Sequence, residues 1–124
     1  MDADDSNTIA EKLATLRERF LARDDDGVQE AIFDLGACRT GHWHSAPDEI
    51  VDGILSLLKQ PSSLESPVAS HVLNYFEFES RTLTRQQKKL CREFLAKYGD
   101  QFSHPQAAHV VMELRYNKYG NWLE

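Results

Sequence analysis

The sequence predicts an all-α protein: a short right-handed α-α superhelix of three helical hairpins, with a six-helix up-down bundle as the alternative. Three observations carry this expectation. Apolar residues recur at helical spacing in six separate stretches of the 124-residue chain. Short breaks rich in Ser, Asp, Gly and Pro separate those stretches. Every second stretch also aligns with the others, so the chain carries an internal period.

The elements follow in order. From Thr8 to Ala22 the residues Ile9, Leu13, Leu16 and Phe20 form one stripe at about 100° per residue, with Ser6 or Asn7 as the expected cap and residues 1–7 as a flexible acidic N-terminus. The run Asp24-Asp25-Asp26-Gly27 leads into a second helix striped by Val28, Ala31, Ile32 and Leu35, for which Gly41 offers a C-terminal stop. A third opens at Ser45-Ala46-Pro47-Asp48-Glu49, where Ser45 is the expected cap, Pro47 suits the first turn, and the two acids suit the positive end of the helix dipole. Its stripe is Ile50, Val51, Ile54, Leu57 and Leu58.

Beyond the loop Gln60-Pro61-Ser62-Ser63, Ser66-Pro67 opens a fourth helix bearing Ala69, Val72, Leu73 and Phe76. The segment Tyr75-Phe76-Glu77-Phe78-Glu79 alternates as a strand would, yet it continues that stripe and has no evident pairing partner, so it is read as helix. Thr84 opens a fifth helix bearing Leu90, Cys91, Phe94, Leu95 and Tyr98, with Gly99 as its stop. Ser103-His104-Pro105 opens a sixth, bearing Ala107, Val110, Val111 and Leu114.

The even-numbered helices correspond at Ala31, Val72 and Val110, at Ile32, Leu73 and Val111, and at Leu35, Phe76 and Leu114, with offsets of 41 and then 38 residues. SPVASHVL and HPQAAHVV match at proline, alanine, histidine and valine, and the shared proline and histidine exceed what amphipathicity alone requires. Over residues 8–124 the chain therefore resembles a HEAT-like α-helical repeat in a single domain. The resemblance rests on spacing and on helix-opening prolines. It implies an outer layer of first helices and an inner, binding layer of second helices.

Charge is uneven. Residues 1–34 hold ten acidic and four basic side chains, and residues 35–124 hold ten of each, so the net −6 lies in the N-terminal quarter. Nucleic-acid binding is accordingly not the leading expectation. Arg85, Lys88, Lys89 and Arg92 do share one face of the fifth helix, extended by Arg81, and they carry the alternative of a nucleic-acid-binding repeat, though such a run is more often a solvated face. It also introduces a charge asymmetry that permits weak self-association, so monomer or weak homodimer is expected. No apolar run approaches the roughly 18 residues of a membrane span, the N-terminus lacks the pattern of a signal peptide, and two cysteines 53 residues apart make no disulfide framework. A cytoplasmic protein is the expectation.

Opposite the apolar stripe, the second helices present Glu30, Phe33, Asp34 and Ala37, then His71, Asn74, Tyr75 and Phe78, then His109, Met112, Glu113 and Tyr116. A purely solvated face would not carry so many aromatic and Met side chains. Either neighbouring repeats cover them or a partner does. The candidate partner-binding residues are Phe33, Asp34, His71, Tyr75, Phe78, His109, Met112, Glu113 and Tyr116, with Glu77 and Glu79 at the edge. Aromatic anchors beside carboxylates suit a basic protein partner.

Two histidine groupings raise metal chemistry, as a metal-dependent enzyme would need. His71, His109 and Glu30 occupy equivalent positions, but neighbouring helix axes stand about 8–10 Å apart, which does not ensure convergence. Cys38, His42 and His44 surround Gly41-His42-Trp43-His44-Ser45. Its counterpart near the C-terminus keeps the glycine, as Gly120, and the tryptophan, as Trp122, but neither histidine, so the stretch reads as a helix terminator with a Trp anchor. No metal or other cofactor is expected. Glycine-rich phosphate loops, nucleophile elbows, HExxH pairs and zinc ribbons are absent, and the His-Glu dipeptides of HEAT-like metal hydroxylases are absent too. The expectation is a non-enzymatic protein-binding module. In size and acidity it resembles bacterial immunity proteins, a likeness that implies an inhibitor masking a basic toxin.

Overall fold

The computed structural model describes residues 2–36, 47–79 and 82–116. Ala37, Cys38, the Gly41–Ser45 stretch, Arg81, Gly120 and Trp122 lie outside the described residues, and with them the expected stop at Gly41 and cap at Ser45. Six α-helices follow in order: α1 (Asp2–Leu21), α2 (Asp25–Leu35), α3 (Asp48–Leu58), α4 (Ala69–Phe78), α5 (Arg85–Tyr98) and α6 (Pro105–Arg115), and no strand occurs among the described residues. The fold is all-α. The Tyr75–Glu79 segment, ambiguous in its alternation, is the last turn and C-cap of α4.

Consecutive helices form three hairpins, α1 with α2, α3 with α4 and α5 with α6. Across hairpins, α1 meets α3 and α3 meets α5, while α2 meets α4 and α4 meets α6. First helices thus make one row and second helices another. The nine equivalent stripe positions of α2, α4 and α6 are all buried, from Ala31, Ile32 and Leu35 to Val110, Val111 and Leu114. Together with Leu16, Phe20, Ile50, Val51, Ile54, Leu58, Cys91, Phe94 and Leu95 they form one continuous core between the rows. Gly53 lets α3 lie close to α1, because a Cβ there would stand 2.9 Å from Leu13 Cδ2.

Several helix ends differ from the sequence expectation. α1 begins at Asp2 rather than Thr8, so residues 2–7 continue the helix and Ser6 and Asn7 lie within it rather than at its cap. α1 ends in a Schellman turn: the Asp24 N–H donates to the Arg19 carbonyl and the Arg23 N–H to the Phe20 carbonyl, each at 3.0 Å. Arg23 takes the left-handed position of that turn at φ 56°, where glycine is the usual occupant. Asp24 closes the turn and caps α2 at once, its carboxylate accepting from the Gly27 N–H at 3.1 Å. A Cβ on Gly27 would fall 2.1 Å from that carboxylate, which is why glycine stands there. Gly99 does end α5, as its C-cap, but in right-handed conformation and leading into a 3-10 turn at Gly99–Gln101.

The start of α5 does more than cap. The Thr84 hydroxyl accepts from the Gln87 N–H, and the Gln87 side chain returns to the Thr84 N–H, a complete capping box. The same buried Gln87 donates through Nε2 to the Asp48 carboxylate at 2.7 Å, tying α5 to the first turn of α3. Thr84→Ala should cost about 1 kcal/mol. Gln87→Ala should cost more, about 2–3 kcal/mol, since it removes a buried side chain and both of its links. Urea unfolding monitored by circular dichroism would rank the two. Arg23→Gly should stabilise by about 0.5–1 kcal/mol by relieving the left-handed strain, a shift readable as a raised Tm.

Candidate functional site

The second-helix row carries the candidate residues, and neighbour number decides their exposure. Phe33 on α2 is 52% exposed, Phe78 at the end of α4 67%, Met112 on α6 47% and Tyr116 just beyond it 79%. Four large apolar side chains therefore reach solvent along one row. Tyr75 does not. It was expected on the contact face and is instead core, 1% exposed, with its ring 5.8 Å edge-on from Phe76. The cause is position: α4 is flanked by α2 and α6, so the margin of its stripe is covered from both sides. The equivalent Asp34 and Glu113, on the outer helices of the row, are only half-buried. Burial, with Glu79 and Cys91 nearby, pushes the Tyr75 phenol above its ordinary value, and its hydroxyl has no hydrogen-bond partner among the described residues.

The two histidines are brought to different partners. His71 Nε2 lies 2.6 Å from the Asp25 carboxylate, joining the first turn of α2 to α4. His109 Nε2 lies 2.8 Å from Glu113 one turn along its own helix. Glu30, the third member of the expected column, faces Arg19 at 4.0 Å. Among the described residues no three His, Cys, Asp or Glu side chains gather as a metal set would. Cys91 is a buried core thiol, pushed up to about 12 by burial, which removes the thiolate needed for ligation or nucleophilic attack at neutral pH.

A groove of about 340 Å³, not foreseen from the sequence, opens between the C-terminal ends of α2 and α4. Phe33 and Phe78 stand at its rim, and Ile32, Gly36, Tyr75 and Glu79 are buried in its wall. Glu79 caps α4 and is itself 4% exposed, its carboxylate accepting from the Thr82 hydroxyl at 3.2 Å. The helices run parallel here, since Asp25 and His71 meet near their N-terminal ends and the groove lies at their C-terminal ends. Sequence periodicity places Phe33 and Phe78 opposite the apolar stripes of their helices. It could not show that the two rings border one cleft, because that depends on the tilt and spacing of α2 against α4.

Formal charge is uneven among the helices. α2 carries Asp25, Asp26, Glu30 and Asp34, α4 carries Glu77 and α6 carries Glu113, against the single cation Arg115. Arg115 is turned toward α5, where it donates to the Asp100 carboxylate and to the Leu95 carbonyl, each at 2.6 Å. On the other row, Arg85, Lys89 and Arg92 of α5 are exposed and Lys88 half-buried, and none of the four meets a carboxylate among the described residues. No helix of the described residues is long and apolar enough to cross a membrane. Comparison with protein-family models, with curated proteins and with solved structures finds no match for this chain.

Because Tyr75 is core, its variants report on stability. Tyr75→Phe should leave stability unchanged or raise it, since it deletes a buried hydroxyl without a partner, whereas Tyr75→Ala should cost about 3–5 kcal/mol by opening a cavity. Thermal unfolding of the two variants separates these outcomes. The Asp25 carboxyl is held below its ordinary value of 3.8, chiefly by the hydrogen bond with His71. A depressed acid contributes stability above its unfolded value and loses it as pH falls through the folded one. Asp25→Asn should therefore lower the urea midpoint near neutral pH, and its gap from the unsubstituted protein should close as the pH drops below 3.8.

Proposed function

We propose that this chain is a non-enzymatic protein-binding module, a short HEAT-like repeat whose second-helix row holds a basic protein partner in the manner of an immunity or inhibitor protein. The observation that carries the reading is the exposure of Phe33, Phe78, Met112 and Tyr116 along a single row that bears six acidic residues and one basic. Large apolar side chains seldom align on a surface that nothing covers. Aromatic anchors supply binding energy at interfaces, and surrounding carboxylates speed encounter and set register with a cationic partner. Asp34, His71, His109 and Glu113 belong to this face as its polar part. Tyr75 supports it from beneath.

The test begins with affinity capture of the full chain from its native cell and identification of what is retained, genomic neighbours first. A basic partner whose affinity falls about tenfold or more with Phe78→Ala and with Tyr116→Ala, and which binds more weakly as salt rises, is the expected result. Recovery of no stable partner, or affinity indifferent to both substitutions, rejects the reading. A second reading, nucleic-acid binding through α5, draws on the exposed cations Arg85, Lys89 and Arg92. It requires steep salt dependence and loss of binding when Arg85, Lys88 and Arg92 become Glu. A flat salt response removes it.

A further inference from the structure

We propose that the groove between the C-terminal ends of α2 and α4 is the seat of an arginine side chain presented by the partner, with its stem and planar head lodged between Phe33 and Phe78. The inference rests on the binding-module reading and specifies what that module recognises. Three observations converge on this occupant.

The first is the lining. Two exposed phenylalanines line a cleft whose wall adds Ile32 and Tyr75, an apolar and aromatic surface of the kind that takes the aliphatic stem of a cationic side chain and attracts its head. At about 340 Å³ the groove is at the small end of ligand pockets, a size for one anchoring side chain.

The second is the field at the groove's end. α2 and α4 run parallel and both terminate there, at Gly36 and Glu79. Each helix C-terminus carries a partial negative charge of about half an electron, so two of them side by side favour a cation and disfavour a carboxylate. The Glu79 carboxylate lies on the same wall, its Oε2 within 3.4 Å of where a Gly36 Cβ would be.

The third is the formal charge of the row, six acids to one base along its three helices, an excess that the contacts of Glu30 with Arg19, Asp25 with His71 and Glu113 with His109 reduce without reversing its sign. Charge complementarity thus names a cationic partner surface, and the ring pair selects among cations. A guanidinium is planar and weakly hydrated and stacks on aromatic faces, while an ammonium is compact and holds its water.

A fluorescent helical peptide displaying arginine and leucine on one face tests the assignment, alongside versions in which each arginine is replaced by lysine, by citrulline or by glutamate. Citrulline keeps the planar shape and removes the charge. The arginine peptide should bind, the lysine version several-fold more weakly, and the citrulline and glutamate versions about tenfold more weakly or worse. Phe33→Ala and Phe78→Ala should each weaken the arginine peptide by about tenfold with an unchanged circular dichroism spectrum, and Phe78→Arg, which places the chain's own cation at the rim, should abolish binding. Leu21→Ala, which removes an exposed apolar side chain far from the groove, should leave affinity unaltered. Amide shifts on peptide addition should concentrate at the ends of α2 and α4.

Equal affinity for the arginine and citrulline peptides overturns the assignment, as does indifference to Phe33→Ala and Phe78→Ala. Growth of a dimer that competes with the peptide overturns it too, since the cation would then be this chain's own α5. The two readings fail separately. A captured partner that is lost with Tyr116→Ala but neither displaced by the arginine peptide nor weakened by Phe33→Ala overturns the groove assignment and leaves the module. A peptide seated in the groove with no protein partner recovered overturns the module and upholds the groove's chemistry.

Discussion

No hairpin of this chain can bury its own apolar stripe, and the rest of the structure depends on that constraint. A helix pair has two stripes and one shared seam, so each second helix must lean on the next to remove its margin from water. Val72, Leu73 and Phe76 of α4 are covered from both sides, by α2 and by α6, and Tyr75 is drawn into the core with them. Burial of a single aromatic or branched aliphatic side chain is worth about 1.5–3 kcal/mol, so each lateral seam contributes on the scale of the net stability of a domain. Stability is thereby shared among neighbours.

Polar links sit where the rows and hairpins join. Gln87 serves the first turn of its own helix and reaches the start of α3, Asp25 and His71 tie α2 to α4, and Arg115 takes up the Leu95 carbonyl of α5. The Ser103 N–H donates to the Leu64 carbonyl at 3.0 Å, joining the approach to α6 to the turn that follows α3. Such links set the order and spacing of the helices more than they add net energy, because hydrogen bonds exchanged with water contribute only about 1 kcal/mol each. Spacing is what the exposed row needs, since a cleft bordered by Phe33 and Phe78 exists only while α2 and α4 keep their separation.

Charge is spread unevenly over the helices. The second-helix row is acidic and the cations gather on α5, while α1 and α3 beside it are themselves net acidic, so α5 is a basic strip on an otherwise acidic chain. A partner that meets the second row meets apolar rings, helix C-termini and carboxylates together. Those features suit a cationic anchor and oppose an anionic one.

The sequence by itself determined the six helices, the residues of their apolar stripes and the places of Phe33, Phe78, Met112 and Tyr116 opposite those stripes, because helical periodicity assigns each side chain to a side of its own helix; that these four reach solvent was decided by the packing. It also placed the starts of α5 at Thr84 and of α6 at Ser103-His104-Pro105, where local chemistry suffices. Only the tertiary structure decided that Tyr75 is core while its equivalents Asp34 and Glu113 are half-buried, because exposure at a stripe margin depends on how many helices flank it. The separation of His71 from His109 and the groove between α2 and α4 were decided there too. Both arise from distances between residues about 40 positions apart, and periodicity along one helix carries no information about its axis relative to another.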